Sequence, residues 1–271
     1  MPSTLKNYRI TKPKKLDLDD FDPRAAPTSL GEKNDDERQL GGIQDEIAAL
    51  QNALFAEARQ SVLLVLQGMD TSGKDGVTIA TFRSTHPQGV HTVPFREPSA
   101  EESAHEFLWR VHPHAPPKGM ITVFNRSHYE AVIAERVLGH ADMAECERRY
   151  AQIVDFERLL TEHGTRIVKC FLHISPAEQK KRLQARLDDL RKNWKFKPGD
   201  LVERGRWDKN MEAYADAIRF TSTKDAPWWI VPADDEPRRN LMVATLVRDA
   251  LAGLAPQYPP LKPEYREIVV E

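Results

Sequence analysis

Five short apolar runs, each followed by a stretch of helical character, constrain this 271-residue chain more than any other feature. The runs are "SVLLVLQG" (61–68), "GVHTVPF" (89–95), "GMITVFNRS" (119–127), "TRIVKCFLHIS" (165–175) and "WWIVPA" (228–233). Helical patterns lie between them: "KDGVTIATFRST", 99–112, 128–138, 142–163, a segment opened by Pro176, and 237–254. Ser99 with Glu102 three residues on reads as a capping box. Pro176 suits the first position of a helix. Strands alternating with helices predict an α/β fold, a three-layer αβα sandwich around a parallel five-stranded sheet. Such sheets carry their sites at the carboxyl ends of the strands. The glycine loop after the first run, "NRS" after the third and "HIS" after the fourth all fall there.

Residues 1–30 mix Lys, Asp and Pro without periodicity and read as an extended arm. Over 34–59, Ile43, Ile47, Leu50 and Leu54 recur at helical spacing, with Asn34 or Asp35 as the N-cap. The expected organisation is therefore an arm and helix (1–60) packed on a core domain (61–271). Residues 180–223, rich in charge and short of strand signal, are expected as an inserted helical lid. A content of 40% hydrophobic and 30% charged residues fits a packed core. The formal net charge of −2 gives nucleic-acid binding no global support. Cys146 and Cys170 lack the spacing of a metal or redox motif and read as reduced thiols. The apolar runs are of strand length, neither leader nor membrane span. A soluble cytoplasmic protein is the expectation.

The loop "GMDTSGKDG" (68–76) fits the phosphate-cradling pattern G-x-x-x-x-G-K at Gly68, Gly73 and Lys74. Glycines let backbone N–H groups turn toward anionic oxygens, and the following helix directs its positive end at them. The pattern asks for Ser or Thr at position 75, where this chain has Asp75, and Asp70 lies inside the loop. A bare carboxylate about 4 Å from a phosphate oxygen is repelled by roughly 4 kcal/mol at intermediate dielectric. A divalent cation between them reverses the sign, and Mg²⁺ binds few carboxylates beside phosphates and waters. Asp70 is thus expected to organise Mg²⁺, with Mn²⁺ as a substitute. Asp75, in the first turn of a helix, reads first as dipole compensation.

In "VFNRSHYE" (123–130) the strand end that usually carries a metal-holding Asp carries Asn125. Arg126 follows, placed to clamp a phosphate oxygen, and Glu130 comes one turn later. In 178–200, Arg182 and Arg186 share a helical face, and Lys192, Lys195 and Lys197 surround Trp194. A charge run is usually a solvated face. Beside a phosphate loop, a long basic track suits a polyanion better than a compact nucleotide.

In combination these segments resemble the polyphosphate kinase 2 family over nearly the whole chain. The marks are Gly68, Asp70, Gly73, Lys74 and Gly76 of the loop, a strand ending in "FNRS", and the lid near "WKF". The resemblance implies a P-loop kinase-like fold, Mg²⁺, and phosphoryl transfer between inorganic polyphosphate and nucleoside mono- and diphosphates, in homodimers or homotetramers. It implies catalytic roles for Asp70, Lys74, Arg126, Arg182 and Arg186. Gly68, Thr71, Ser72, Gly73, Gly76, Lys192 and Lys195 would bind phosphate. Asn125 and Glu130 would face the acceptor nucleotide, and Asp70 and Glu130 the metal. "FNRSHYE" resembles the subgroup associated with monophosphates as well as diphosphates. Ile79 departs from the Lys or Arg that family members often carry there. Whether Asp70 holds metal, orients the acceptor oxygen or does both stays open. The alternatives are an ATP-dependent nucleoside or nucleotide kinase, and a P-loop switch, for which a base-reading motif is missing.

Overall fold

The computed structural model describes residues 3–11 and 13–270, with only the backbone described at Ser3. Its strands are β1 (Arg9–Ile10), β2 (Ser61–Gln67), β3 (Val90–Pro94), β4 (Ile121–Asn125), β5 (Thr165–His173) and β6 (Trp228–Pro232). Its helices are α1 (Lys33–Glu57), α2 (Lys74–Thr81), α3 (Ala100–Ser103), α4 (Ala134–Leu138), α5 (Met143–Glu162), α6 (Pro176–Asp188), α7 (Pro198–Gly205), α8 (Trp207–Thr221) and α9 (Glu236–Leu254).

The sheet order is β1-β6-β5-β2-β4-β3. Strands β2 to β6 run parallel to their neighbours, and β1 pairs antiparallel with β6 through Arg9–Trp229 and Ile10–Trp228. The expected five-stranded parallel sheet is therefore a mixed sheet of six. The added strand lies in the arm read as extended, and two residues are too few to produce a hydrophobic period. β2 is central and covered on both faces, which is why Val62 to Leu66 form an unbroken apolar run with no exposed surface. The chain moves from β2 to β3 and β4 on one side, then to β5 and β6 on the other. The carboxyl end of β2 is thus the topological switch point, where α/β sheets open a crevice.

Helix α1 covers the sheet beside α9, burying Ile43, Ile47 and Leu54 and pairing Glu46 with Arg248 at 2.6 Å. Neither Asn34 nor Asp35 caps it. Glu32 holds the cap position without a side-chain bond, and buried Asp36 instead accepts from Ser29 Oγ (2.6 Å) and Leu30 N–H (2.7 Å). The capping box of Ser99 and Glu102 forms, but α3 stops at Ser103 rather than 112. Beyond it Leu108 N–H bonds Glu106 Oε2 at 2.7 Å, and successive turns carry Val111 into the core. The expected helix 128–138 divides into a 3-10 turn, His128–Ala131, and α4. Segment 180–223 comprises most of α6, then α7 and α8. α8 buries Ala213, Tyr214, Ala217 and Ile218 in the same core as the sheet. No described helix is long and apolar enough to cross a membrane. Cys146 and Cys170 are buried free thiols.

Candidate active site

The loop between β2 and α2 is shaped by its glycines. Gly73 has φ +98°, and a Cβ there would lie 2.0 Å from Arg239 Nη1; a Cβ on Gly68 (φ +151°) would meet Leu172 O at 2.7 Å. Thr71 is also left-handed, at φ +67°. Gly73 caps α2 without a side chain, so no side chain caps the first-turn N–H groups of the helix. Thr71 Oγ1 and Ser72 Oγ are buried without a hydrogen-bond partner among the described residues. The loop thus keeps unspent donors of the kind a phosphate uses.

Lys74 opens α2 and folds back, donating from Nζ to Gly68 O (2.7 Å) and Met69 O (3.3 Å). Burial and the Arg126 charge bring its pKa down to about 8, against the pull of Asp70, Glu130 and Asp75. Asp70 Oδ1 accepts from Arg126 Nη2 at 2.7 Å, and Glu130 Oε2 lies 3.9 Å from Arg126 Nη1. Burial pushes the Asp70 carboxyl up, but Lys74, Arg126 and Arg186 together hold it below the usual carboxylate value. Burial opposes the Arg126 charge, and Glu130 and Asp70 outweigh it. Arg126 takes a left-handed backbone (φ +62°), which costs a non-glycine residue on the order of 1–3 kcal/mol. Its N–H bond to Leu66 O (3.1 Å) pins it to the end of the central strand.

Asp70 and Glu130 therefore flank one cation. No three His, Cys, Asp or Glu side chains converge as a metal cage among the described residues. Two carboxylates do fit an ion such as Mg²⁺, which takes most of its ligands from phosphates and water. Asn125, at the end of β4, donates from Nδ2 to Asp75 Oδ1 at 2.5 Å. Asp75 thus does more than face a helix dipole.

Arg182 and Arg186 diverge from their shared face. Arg182 donates to Glu178 (2.9 Å) and to the backbone carbonyls of Thr71 (3.0 Å), Ala233 (2.8 Å) and Asp234 (2.9 Å). Arg186 instead joins α6 to α7 through Asp200 Oδ2 (3.0 Å) and Lys195 O (3.3 Å). Lys192 pairs with Asp189 at 3.4 Å, and Lys195 lies over the Trp194 ring at 5.2 Å. Both sit on the connection from α6 to α7 rather than in the loop.

Two residues escaped sequence reasoning. Arg239, 1% exposed, donates to Ser72 O (3.1 Å) and is held by Asn240 and Glu236. Burial and the nearby Arg182 charge lower its pKa to about 10. In "EPRRN" nothing separates it from its neighbour Arg238; burial alone does. Tyr214 of α8 is buried beside Glu130, Arg126 and Asp70, and burial raises its phenol well above the ordinary value. It occupies one position of an apolar helical stripe, which gives no sign of a site.

A glycine loop at the switch point between parallel strands, opening a helix at a lysine, defines the P-loop kinase class. Residues 31–258 match the family model Polyphosphate kinase 2 (PPK2), and the chain belongs to that family. It is 42% identical to the AMP/ADP-polyphosphate phosphotransferase of Meiothermus ruber, over 98% of this chain and 100% of the relative. Identity to the ADP-polyphosphate phosphotransferase of Rhodopseudomonas palustris is 38%, over 98% and 96%. The crystal structure of polyphosphate kinase 2 from Arthrobacter aurescens superposes with a TM-score of 0.92 at 45% identity, covering 96% of this chain and 93% of that one.

Proposed function

We propose that this chain transfers the terminal phosphoryl group of inorganic polyphosphate to nucleoside diphosphates and monophosphates, ADP and AMP first among them, with GDP and GMP as further acceptors. The observation that carries the reading is the group at the switch point: Asp70 and Glu130 on either side of Arg126, next to Lys74. Relatives named for both AMP and ADP support the breadth of acceptor.

Polyphosphate lies along the basic segment of α6 and α7 and over the loop from Gly68 to Lys74. There the backbone N–H groups and the free Thr71 and Ser72 hydroxyls take its oxygens. The nucleotide lies opposite, on the side of Asn125 and Glu130. Asp70 and Glu130 are the residues that would hold Mg²⁺, which would supply positive charge against the phosphates. Phosphoryl transfer spreads charge over equatorial oxygens, so the protein contributes positioning and fixed positive charge. Lys74 and Arg126 supply that charge at the reacting phosphate. Arg186 supplies it from the lid, and Arg182 holds the Thr71 carbonyl of the phosphate loop turned away from the anion. A homodimer or homotetramer and a cytoplasmic setting belong to the same proposal.

The test supplies polyphosphate as sole phosphate source, with AMP or with ADP, and Mg²⁺ either present or chelated. The expected products are ADP from AMP and ATP from ADP, both lost on chelation. No product without added nucleoside triphosphate would leave an ATP-dependent kinase as the better reading.

A further inference from the structure

The backbone carbonyls from Gly68 to Ser72 are each held by a side chain. Lys74 donates to those of Gly68 (2.7 Å) and Met69 (3.3 Å), and Gln179 of α6 to that of Asp70 (3.4 Å). Arg182 donates to that of Thr71 (3.0 Å), and Arg239 of α9 to that of Ser72 (3.1 Å). Arg239 has a place made for it by two glycines of the loop. A Cβ would lie 2.0 Å from its Nη1 at Gly73 and 3.3 Å from its Nη2 at Gly76. Asn240 Oδ1 accepts from both Nε (3.2 Å) and Nη2 (2.9 Å), which fixes the plane of the guanidinium and leaves Nη1 for the loop. The carboxylate paired with it, Glu236 at 3.2 Å, is 63% exposed, whereas the Arg239 side chain is 1% exposed. Water screens the anion of that pair far more than the cation. A buried positive charge that is only partly neutralised thus stands behind Ser72 and Gly73.

We infer that Arg239 is a positioning residue for the phosphate donor, acting from behind the loop through the Ser72–Gly73 peptide. In a trans peptide the C=O and the next N–H point in opposite directions. Drawing the Ser72 carbonyl toward α9 therefore turns the Gly73 N–H away from α9, to join the uncapped first-turn N–H groups of α2. The same guanidinium adds positive charge on the buried side of the loop, where the dielectric is low and the attraction for an anion in front of the loop is correspondingly large. Arg239 touches neither substrate; it sets the direction and the charge of the groups that do. This rests on the proposed placement of polyphosphate over the loop, and it ties Arg239 to the donor rather than to the acceptor nucleotide.

The experiment compares the unmutated chain with Arg239→Met, Arg239→Lys and Asn240→Ala. It measures KM for polyphosphate and for ADP, binding of inorganic tripolyphosphate by calorimetry, and thermal unfolding. Arg239→Met fills the same space without the charge or the fork. It should raise KM for polyphosphate and Kd for tripolyphosphate by about tenfold to a hundredfold, the span of one charged hydrogen bond, with KM for ADP nearly unchanged. Arg239→Lys keeps the charge but cannot hold Asn240 and Ser72 in one plane, and should recover part of the lost affinity. Asn240→Ala leaves Arg239 in place but frees its plane, and should weaken tripolyphosphate binding in the same direction by a smaller factor. That variant and Arg239→Lys carry the test if Arg239→Met does not fold. Unchanged tripolyphosphate binding in the folded variants would overturn the proposal. So would a loss shared equally by polyphosphate and ADP that tracks the unfolding midpoint, since Arg239 would then be a core residue only. Failure of the functional reading looks different: the unmutated protein would transfer nothing from polyphosphate to ADP, whereas tripolyphosphate binding is read without any transfer.

Discussion

At the scale of single residues, the site stands on charges that burial would neutralise unless neighbours prevented it. Asp70 stays ionised because three cations outweigh its desolvation. Asp70→Asn removes the carboxylate while keeping its shape, so turnover should fall to background while the protein still folds, its unfolding midpoint lowered by no more than the lost pairing with Arg126. A near-normal kcat would reject the role. Lys74 is the opposite case: burial lowers its pKa from 10.5 to about 8. Between those values the unfolded chain binds the proton and the folded one does not, so this group makes stability rise with pH across that window. A bound phosphate chain would restore the proton. Above pH 8, then, KM for polyphosphate should climb by up to about tenfold per pH unit, as one lost proton requires. Lys74→Arg should flatten that climb, which a pH series of KM would reveal. The loop motif made Asp70 and Lys74 legible in the sequence. Arg239 was not, because a buried and an exposed arginine look alike until α9 is packed beneath Gly73.

At the scale of elements, helix α6 divides its work. Its first half is tied to the phosphate loop and to the loop after β6 by Arg182, and its second half to α7 by Arg186 and Asp200. Helical spacing placed both arginines on one face but could not assign partners, since these come from three other segments. Arg186→Ala should lower kcat by about 10²–10³-fold if it supplies charge to the transition state as one preorganised donor does. An unchanged rate would reduce it to a tie between helices. Ser175 caps α6 by accepting from Glu178 N–H at 3.1 Å. Ser175→Ala should cost about 1 kcal/mol in chemical denaturation. The strands inside the sheet were readable because burial on both faces demands near-continuous apolar runs. Helix α3 was overread because a good start signal says nothing about where a helix ends.

At the scale of the whole molecule, a buried polar network joins five elements beneath the site. Lys169 of β5 donates to Glu157 of α5 (2.6 Å), to Tyr129 of the 3-10 turn (3.0 Å) and to Thr221 O of α8 (2.9 Å), while Trp228 of β6 donates to Thr221 Oγ1 (3.0 Å). Burial pushes the Glu157 carboxyl up, and Lys169 outweighs it. The network anchors the turn that carries Glu130 to the helix that carries Tyr214. Lys169→Met should destabilise the fold by about 3–5 kcal/mol, because it strands a buried carboxylate. Adding Glu157→Leu should recover most of that loss, as urea midpoints would show; no recovery would mean that the pair is not the source of the cost. The sequence by itself determined the strand order's ingredients, the phosphate loop and the chemical character of the site, because these are written in local periodicity and short spacing. Tertiary structure alone decided the sixth strand, the partners of Arg182 and Arg186, the placement of Arg239 and Tyr214, and the bond between Asp75 and Asn125. Each of these is a contact between distant segments, and side-chain desolvation and pairing exist only once those segments are packed together.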